Sequence, residues 1–163
     1  MSTLWRPAYV AIGSNLELPR ERVLEAMDRL AGLGAPHTLL RSHLYLSRPM
    51  GPQDQPDYVN AAAGFLTQQS PQELLAQLLD IERSMGRTQR ERWGPRVIDL
   101  DLVWMVDSAV DEPGLKVPHP GVSIRNFVLY PLADIAPTIK IPGMGVVLDL
   151  KLQVGGEGIL ALE

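Results

Sequence analysis

Cysteine is absent from the 163-residue chain, which excludes disulfides, thiolate nucleophiles, Fe–S clusters and Cys-type zinc sites together. Any metal must be held by oxygen or by one of three histidines. Lysine is equally scarce: Lys116, Lys140 and Lys151 are the whole complement, so most of the positive charge is arginine. No apolar run approaches the length of a bilayer, and residues 1–7 lack the basic-then-apolar order of a secretory signal. A soluble cytoplasmic protein is therefore expected. The formal net charge of −4 argues against general affinity for nucleic acid or an anionic membrane surface.

What the chain does have is enough for one packed domain over residues 1–163, with 45% hydrophobic residues and no repeat or low-complexity tract. Residues 8–12 read as a first strand, closed by Gly13-Ser14-Asn15, and Pro19 suits the first turn of a helix. Val23, Leu24, Met27, Leu30 and Ala31 make that helix's apolar stripe, ended by Gly32 and Gly34. A second strand is expected over residues 38–47, with Leu40, Leu44 and Leu46 on one face and Arg41, His43 and Tyr45 on the other. A stiff loop rich in proline and glycine follows, then a third strand over residues 58–67. Ser70-Pro-Gln-Glu73 is a capping box that opens a second helix, and residues 97–106 alternate as a fourth strand.

The order strand, helix, strand, strand, helix, strand is that of a ferredoxin-like α/β sheet, largely antiparallel. The last third of the chain decorates it as a C-terminal extension. There Val117-Pro-His-Pro120 is a rigid turn, residues 124–135 predict one or two helical pieces interrupted at Pro131, and residues 146–154 fit strand or helix.

The chemistry gathers before and on the fourth strand. Arg83, Arg87, Arg90, Arg92 and Arg96 crowd together, opposed only by Glu91, and arginine is the side chain suited to bidentate phosphate or carboxylate contacts. A solvated surface loop has the same composition. Side chains alternate along a strand, so Val97, Asp99, Asp101, Val103 and Met105 share one face, with the two carboxylates about 6.6 Å apart. Such a pair can hold one hard cation or straddle two. It also fits the wet face of a half-buried strand. Arginines and an indole delivered just ahead of paired carboxylates are what phosphoryl transfer asks for, and Gly86, Gly94 and Pro95 would let that loop close over a nucleotide. There is no P-loop motif.

The segment Arg92-Trp-Gly-Pro-Arg-Val-Ile-Asp-Leu-Asp-Leu-Val103 resembles the signature of the 6-hydroxymethyl-7,8-dihydropterin pyrophosphokinase family. Ala11-Ile-Gly-Ser-Asn15, Gly51-Pro-Gln-Asp-Gln-Pro-Asp-Tyr-Val-Asn60, and Val117-Pro-His119 with Arg125 and Phe127 extend the resemblance in family order over nearly the whole chain. It implies that ATP gives its β,γ-pyrophosphoryl group to the hydroxymethyl oxygen of a reduced pterin, releasing AMP, in folate biosynthesis. It implies that Asp99 and Asp101 bind two Mg²⁺, and that Arg87, Arg92 and Arg96 act with them in catalysis. ATP would meet Glu82, Arg87, Arg92, Trp93, Arg96, Ile98, His119 and Arg125. The pterin would meet Tyr58, Asn60 and Phe127, with Ser47, Arg48 and Met50 completing its edge through backbone groups. A monomer with small-molecule substrates is expected, and neither nucleic acid nor a membrane as partner.

The residues support these roles on their own terms. Tyr58 and Asn60 share a strand face, and an amide both donates to and accepts from a mixed amino-oxo ring edge. Phe127 fits core packing as well as ring stacking. His119 fits a phosphate donor as well as a turn histidine, and Glu82 fits an exposed helix-end partner of Arg83. His37 and His43 have no evident partner. The chain departs from the family pattern at Leu79, at Pro120 and in a shortened 87–96 loop. A kinase moving only the γ-phosphoryl group, or a silent nucleotide-binding regulator, would keep the same arginines and carboxylates.

Overall fold

A computed structural model describes residues 4–49, 54–86 and 96–162. β1 (Arg6–Ser14) leads into α1 (Pro19–Ala31), followed by the short strands β2 (Leu40–Arg41) and β3 (Tyr45–Ser47) and the long β4 (Tyr58–Thr67). Then come α2 (Pro71–Ser84), β5 (Asp99–Met105) and the hairpin β6 (Val110–Glu112) and β7 (Leu115–Val117). A 3-10 turn at Val122–Ile124 precedes α3 (Asn126–Ile135). The chain ends with β8 (Lys140–Ile141), β9 (Gly145–Val146), α4 (Val147–Val154) and β10 (Ile159–Ala161).

The main sheet runs β5-β1-β4-β3-β10 with β2 also on β4, and every pairing is antiparallel. This is the expected ferredoxin-like order, widened by the C-terminal extension. One face, carrying Ala8, Val10, Ile12, Ala61, Ala63, Phe65, Leu100 and Leu102, is buried beneath α1 and α2. Arg29 of α1 donates to the Ser84 hydroxyl at the end of α2, so the two helices lie side by side. In α1 the buried stripe is Val23, Ala26, Met27 and Leu30, and Ala31, expected in the stripe, is exposed, because Ala26 completes the i, i+3, i+4 spacing instead. α2 begins with the predicted capping box: the Ser70 hydroxyl accepts from the Glu73 N–H at 3.1 Å and the Glu73 carboxylate accepts from the Ser70 N–H at 3.0 Å.

Two β-bulges correct the expected faces. Leu40 pairs with Gly64 and Arg41 with Ala63, but Tyr45 pairs with Asn60, so four steps on one strand oppose three on β4. The extra residue splits the expected 38–47 strand into β2 and β3 and inverts its faces. Tyr45 is buried at 7% exposure and Leu40 is half exposed, the reverse of the alternation. In β5, Tyr9 pairs with Trp104 and Val10 with Leu102, which leaves Val103 unpaired. Beyond that bulge it is Trp104, and neither Val103 nor Met105, that continues the face of Asp99 and Asp101.

α3 runs unbroken through Pro131, at the point where a break was expected. The proline costs one helical hydrogen bond, that to the Phe127 carbonyl, and its ring is buried. Residues 147–154 are helical, which settles the second ambiguity. α3 lies over the other face of the sheet, where Ile135 and Tyr9 meet above Gly64. Among the described residues no helix is long and apolar enough to cross a membrane.

Gly34, in the turn after α1, lies close against β4. A Cβ there would stand 2.8 Å from the Leu66 carbonyl oxygen and 2.9 Å from the Phe65 side chain. Gly34→Ala should cost about 1–3 kcal/mol by overpacking. Urea unfolding should show a lower midpoint at unchanged slope. An unchanged midpoint would contradict the packing described.

Candidate active site

The sheet face opposite α1 and α2 carries the candidate side chains at one end. In register across four strands stand Asp99, Gly13, Asn60 and Tyr45. One row inward is Asp101 beside Ala11, and one row outward Tyr58 beside Ser47. Asp99 and Asp101 therefore share a face, as alternation requires, because both precede the bulge. Two strand spacings, about 10 Å, separate the Asp99 column from the Asn60 column. Between them Gly13 contributes no side chain. A Cβ on it would lie 3.2 Å from the Asn60 Nδ2 and 3.5 Å from the Tyr58 ring.

Asn60 is a buried polar side chain at 6% exposure, and its orientation is set by its neighbour. The buried Ser47 hydroxyl donates to Asn60 Oδ1, so Nδ2 is turned toward the bare Gly13 backbone. The Ser47 side chain thus orients Asn60, which the sequence did not indicate. The Arg48 N–H donates to the Gly158 carbonyl at 3.3 Å, while the Arg48 side chain is exposed. Phe127 stands half-buried in the first turn of α3, packed against the edge of the core.

At the carboxylate end, Glu82 is buried at 2% exposure, and its Oε2 accepts from the Leu100 N–H, between the two aspartates, at 2.7 Å. The exposed helix-end alternative is excluded. Ile98 is fully buried, so contact with a nucleotide would have to use its main chain. The Val103 bulge has a consequence for His119. Its unpaired carbonyl accepts the His119 N–H at 2.8 Å, drawing the turn after β7 up to β5. The Gly121 N–H donates to His119 Nδ1 at 3.0 Å, so the neutral ring carries its proton on Nε2 and can donate from there. His119 is both a backbone-satisfied turn histidine and a poised donor. The Arg125 guanidinium lies against Gly121, where a Cβ would come within 2.6 Å of Nε. Burial first, then the nearby Arg125 charge, pulls His119 below its ordinary value of 6.5, and Asp99 pulls it the other way.

Asn15 is the residue that sequence reading passed over. Buried at 2% exposure, it donates from Nδ2 to the Gln55 side chain at 2.9 Å and to the Pro56 carbonyl at 2.8 Å. Its Oδ1 accepts from the Arg96 N–H at 2.8 Å, and its own N–H donates to the Arg96 carbonyl at 3.0 Å. The adjacent Ser14 hydroxyl donates to the Val97 carbonyl. The Pro/Gly loop before β4 and the end of the arginine segment before β5 are thus clasped to one amide. Its signal was weak because an asparagine after Gly-Ser is ordinary turn composition. His43, which had no evident partner, meets Asp134 of α3 through both its backbone N–H and its ring. Met50, Arg87, Arg92 and Trp93 lie outside the described residues.

Paired carboxylates at one end of a sheet face, a buried amide and aromatic rings at the other, and a histidine and arginine alongside suit an α/β enzyme that handles a charged group. Residues 9–137 match the family described as 7,8-dihydro-6-hydroxymethylpterin-pyrophosphokinase (HPPK). The chain is 46% identical over 151 residues to the 2-amino-4-hydroxy-6-hydroxymethyldihydropteridine pyrophosphokinase of Pseudomonas aeruginosa, covering 93% of each. It is 38% identical over 156 residues to that of Haemophilus influenzae, covering 96% of this chain and 98% of the relative. Its fold matches Plasmodium falciparum HPPK-DHPS with pteroate at a TM-score of 0.71 and 14% identity, over 94% of this chain and 43% of that longer one. The chain belongs to the 7,8-dihydro-6-hydroxymethylpterin-pyrophosphokinase family, enzymes of folate biosynthesis that transfer a pyrophosphoryl group to a hydroxymethyldihydropterin with ATP as co-substrate.

The lowered His119 fixes the sign of a pH effect. The unfolded chain takes up the proton more readily than the folded one, so this contribution to stability is complete above 6.5 and is lost as pH falls through the folded value. The stability difference between wild type and His119→Gln should therefore shrink on acidification, measured by urea unfolding across that window. A difference independent of pH would contradict the assignment.

Proposed function

We propose that this chain moves the β,γ-pyrophosphoryl group of ATP as one unit to the hydroxymethyl oxygen of 6-hydroxymethyl-7,8-dihydropterin. The new bond joins that oxygen to the β-phosphorus, the hydroxyl proton is lost to solvent, the bond from the β-phosphorus to the α,β-bridging oxygen breaks, and AMP leaves with the bridging oxygen. The observation that supports this reading is the row Asp99, Gly13, Asn60, in which a carboxylate and a buried amide share one sheet face on either side of a residue without a side chain.

The donor set suits Mg²⁺. Two carboxylates on one strand face can share such an ion with substrate phosphates and water, as Mg²⁺ prefers to an all-protein cage. Among the described residues no cluster of three or more His, Asp or Glu forms such a cage. Two Mg²⁺ held by Asp99 and Asp101 would neutralise phosphate charge. Glu82 holds the Leu100 amide, and with it the spacing of the two aspartates. His119 Nε2 and Arg125 donate to phosphate oxygens. Asn60 reads the amino-oxo edge of the pterin with Nδ2 while Ser47 keeps it oriented. Tyr58 and Phe127 enclose the ring, and the main chain of Arg48 and Met50 completes its edge. Arg87, Arg92 and Arg96 balance the charge that develops on the transferred group, Trp93 serves ATP binding, and Ile98 contributes its main chain. The unit is one domain, cytoplasmic and monomeric, with no nucleic-acid partner.

Product identity tests the reading: with MgATP and the pterin alcohol, AMP must appear in step with the pterin diphosphate. ADP would show transfer of the γ-phosphoryl group alone, and no product would indicate a silent binder. Asp99→Ala and Asp101→Ala should each lower turnover on the order of a thousandfold while unfolding stays cooperative. Near-normal activity of either at limiting Mg²⁺ would overturn the metal assignment.

A further inference from the structure

Residues 155–162 form an arm that touches both walls of the proposed pterin slot. On one side β10 extends the sheet: Ile159 pairs with Ser47, Leu160 with Leu46 and Ala161 with Tyr45. The Gly158 carbonyl accepts from the Arg48 N–H at 3.3 Å, and the Leu162 N–H donates to the Leu44 carbonyl at 2.8 Å. On the other side the arm is held by α3. The Asn126 Nδ2 donates to the Gly155 carbonyl at 3.2 Å and to the Glu157 carbonyl at 2.8 Å. Both partners are acceptors, so the amide has one workable orientation. At Gly156 a Cβ would lie 2.7 Å from the Tyr130 hydroxyl, so the arm lies flush against the helix one turn further along.

The two walls also meet directly further along α3: the Tyr45 and Tyr130 rings stand edge to face with centroids 6.2 Å apart, and the Tyr45 hydroxyl donates to the Asp134 carboxylate at 2.8 Å. Both joints use the Tyr45 side chain and lie about one and two turns beyond Phe127. At the first turn of α3, the hydrogen-bonded connection to β3 runs through Asn126 and the arm. We propose that Asn126 is a positioning residue for pterin binding: through the arm it sets the separation between Phe127 on α3 and the Ser47–Arg48 backbone on β3. This rests on the pterin roles given to Ser47 and Phe127. Asn126 touches neither substrate; it acts through two carbonyls and a strand. The Arg125 guanidinium, although next in sequence, packs on Gly121.

Asn126→Asp keeps the size of the side chain and removes its donors, and Asn126→Ala removes the group. Both should weaken pterin binding in the presence of an inert ATP analogue by about tenfold, while binding of the analogue alone changes by less than about twofold. Asn126→Gln, which retains the donors, should recover part of the loss. Amide hydrogen exchange gives a readout that needs no substrate: the Arg48 and Leu162 amides should exchange faster in Asn126→Asp, and those of β1 should not. Pterin affinity unchanged with faster exchange at Arg48 would show that the arm does not govern the slot and would overturn the proposal. Unchanged exchange, or pterin and nucleotide binding falling together, would overturn it too. Failure of the functional reading has a different signature, since wild type would then make no AMP and bind no pterin.

Discussion

β1 bears ladder hydrogen bonds on both sides, and its register against β4 and β5 is what the site depends on. Because Gly13 pairs with Asn60 on one side and Asp99 on the other, the Asn60 amide and the carboxylates are held at a separation set by strand spacing alone. A slip of one residue in either pairing would send one partner to the helix-covered face. The buried apolar rows beneath α1 and α2 oppose any such slip, so core packing and site geometry are one constraint. The side chains of Ser14 and Asn15 carry the same strand into the two loops that flank the site.

The order of elements was legible because alternation in β1, β4 and β5 and the capping box before α2 are local signals. The same face for Asp99 and Asp101 was legible for the same reason. The bulges were not, since one extra residue between Arg41 and Tyr45, or at Val103, leaves no mark in a hydrophobic pattern. Only pairing with β4 or β1 reveals it. That is why alternation sets Tyr45 opposite Leu40, and Val103 and Met105 beside the aspartates, where the structure does neither. α3 contradicted a local rule: tertiary burial of its Val128, Leu129 and Leu132 outweighs one hydrogen bond lost at Pro131.

Of the site, residue types whose chemistry is unusual at their positions could be read, namely carboxylates on a strand and an amide beside a tyrosine. Residues that act by hydrogen-bonding partners distant in sequence could not. Asn15, Asn126 and Ser47 are of common types in common contexts, and their partners lie far off in sequence. Glu82 was singled out by resemblance, but its burial against the Leu100 amide emerges only from the packing of α2 on the free edge of β5.

The account turns on the bare backbone at Gly13, and one substitution addresses it directly. Gly13→Ala adds a methyl group 3.2 Å from Asn60 Nδ2 and 3.5 Å from the Tyr58 ring, into the space assigned to the pterin. Calorimetry of pterin binding with an inert ATP analogue present, set beside binding of the analogue alone, would measure its effect. The account predicts a large loss of pterin affinity with nucleotide affinity nearly intact. Pterin affinity equal to that of wild type would contradict it.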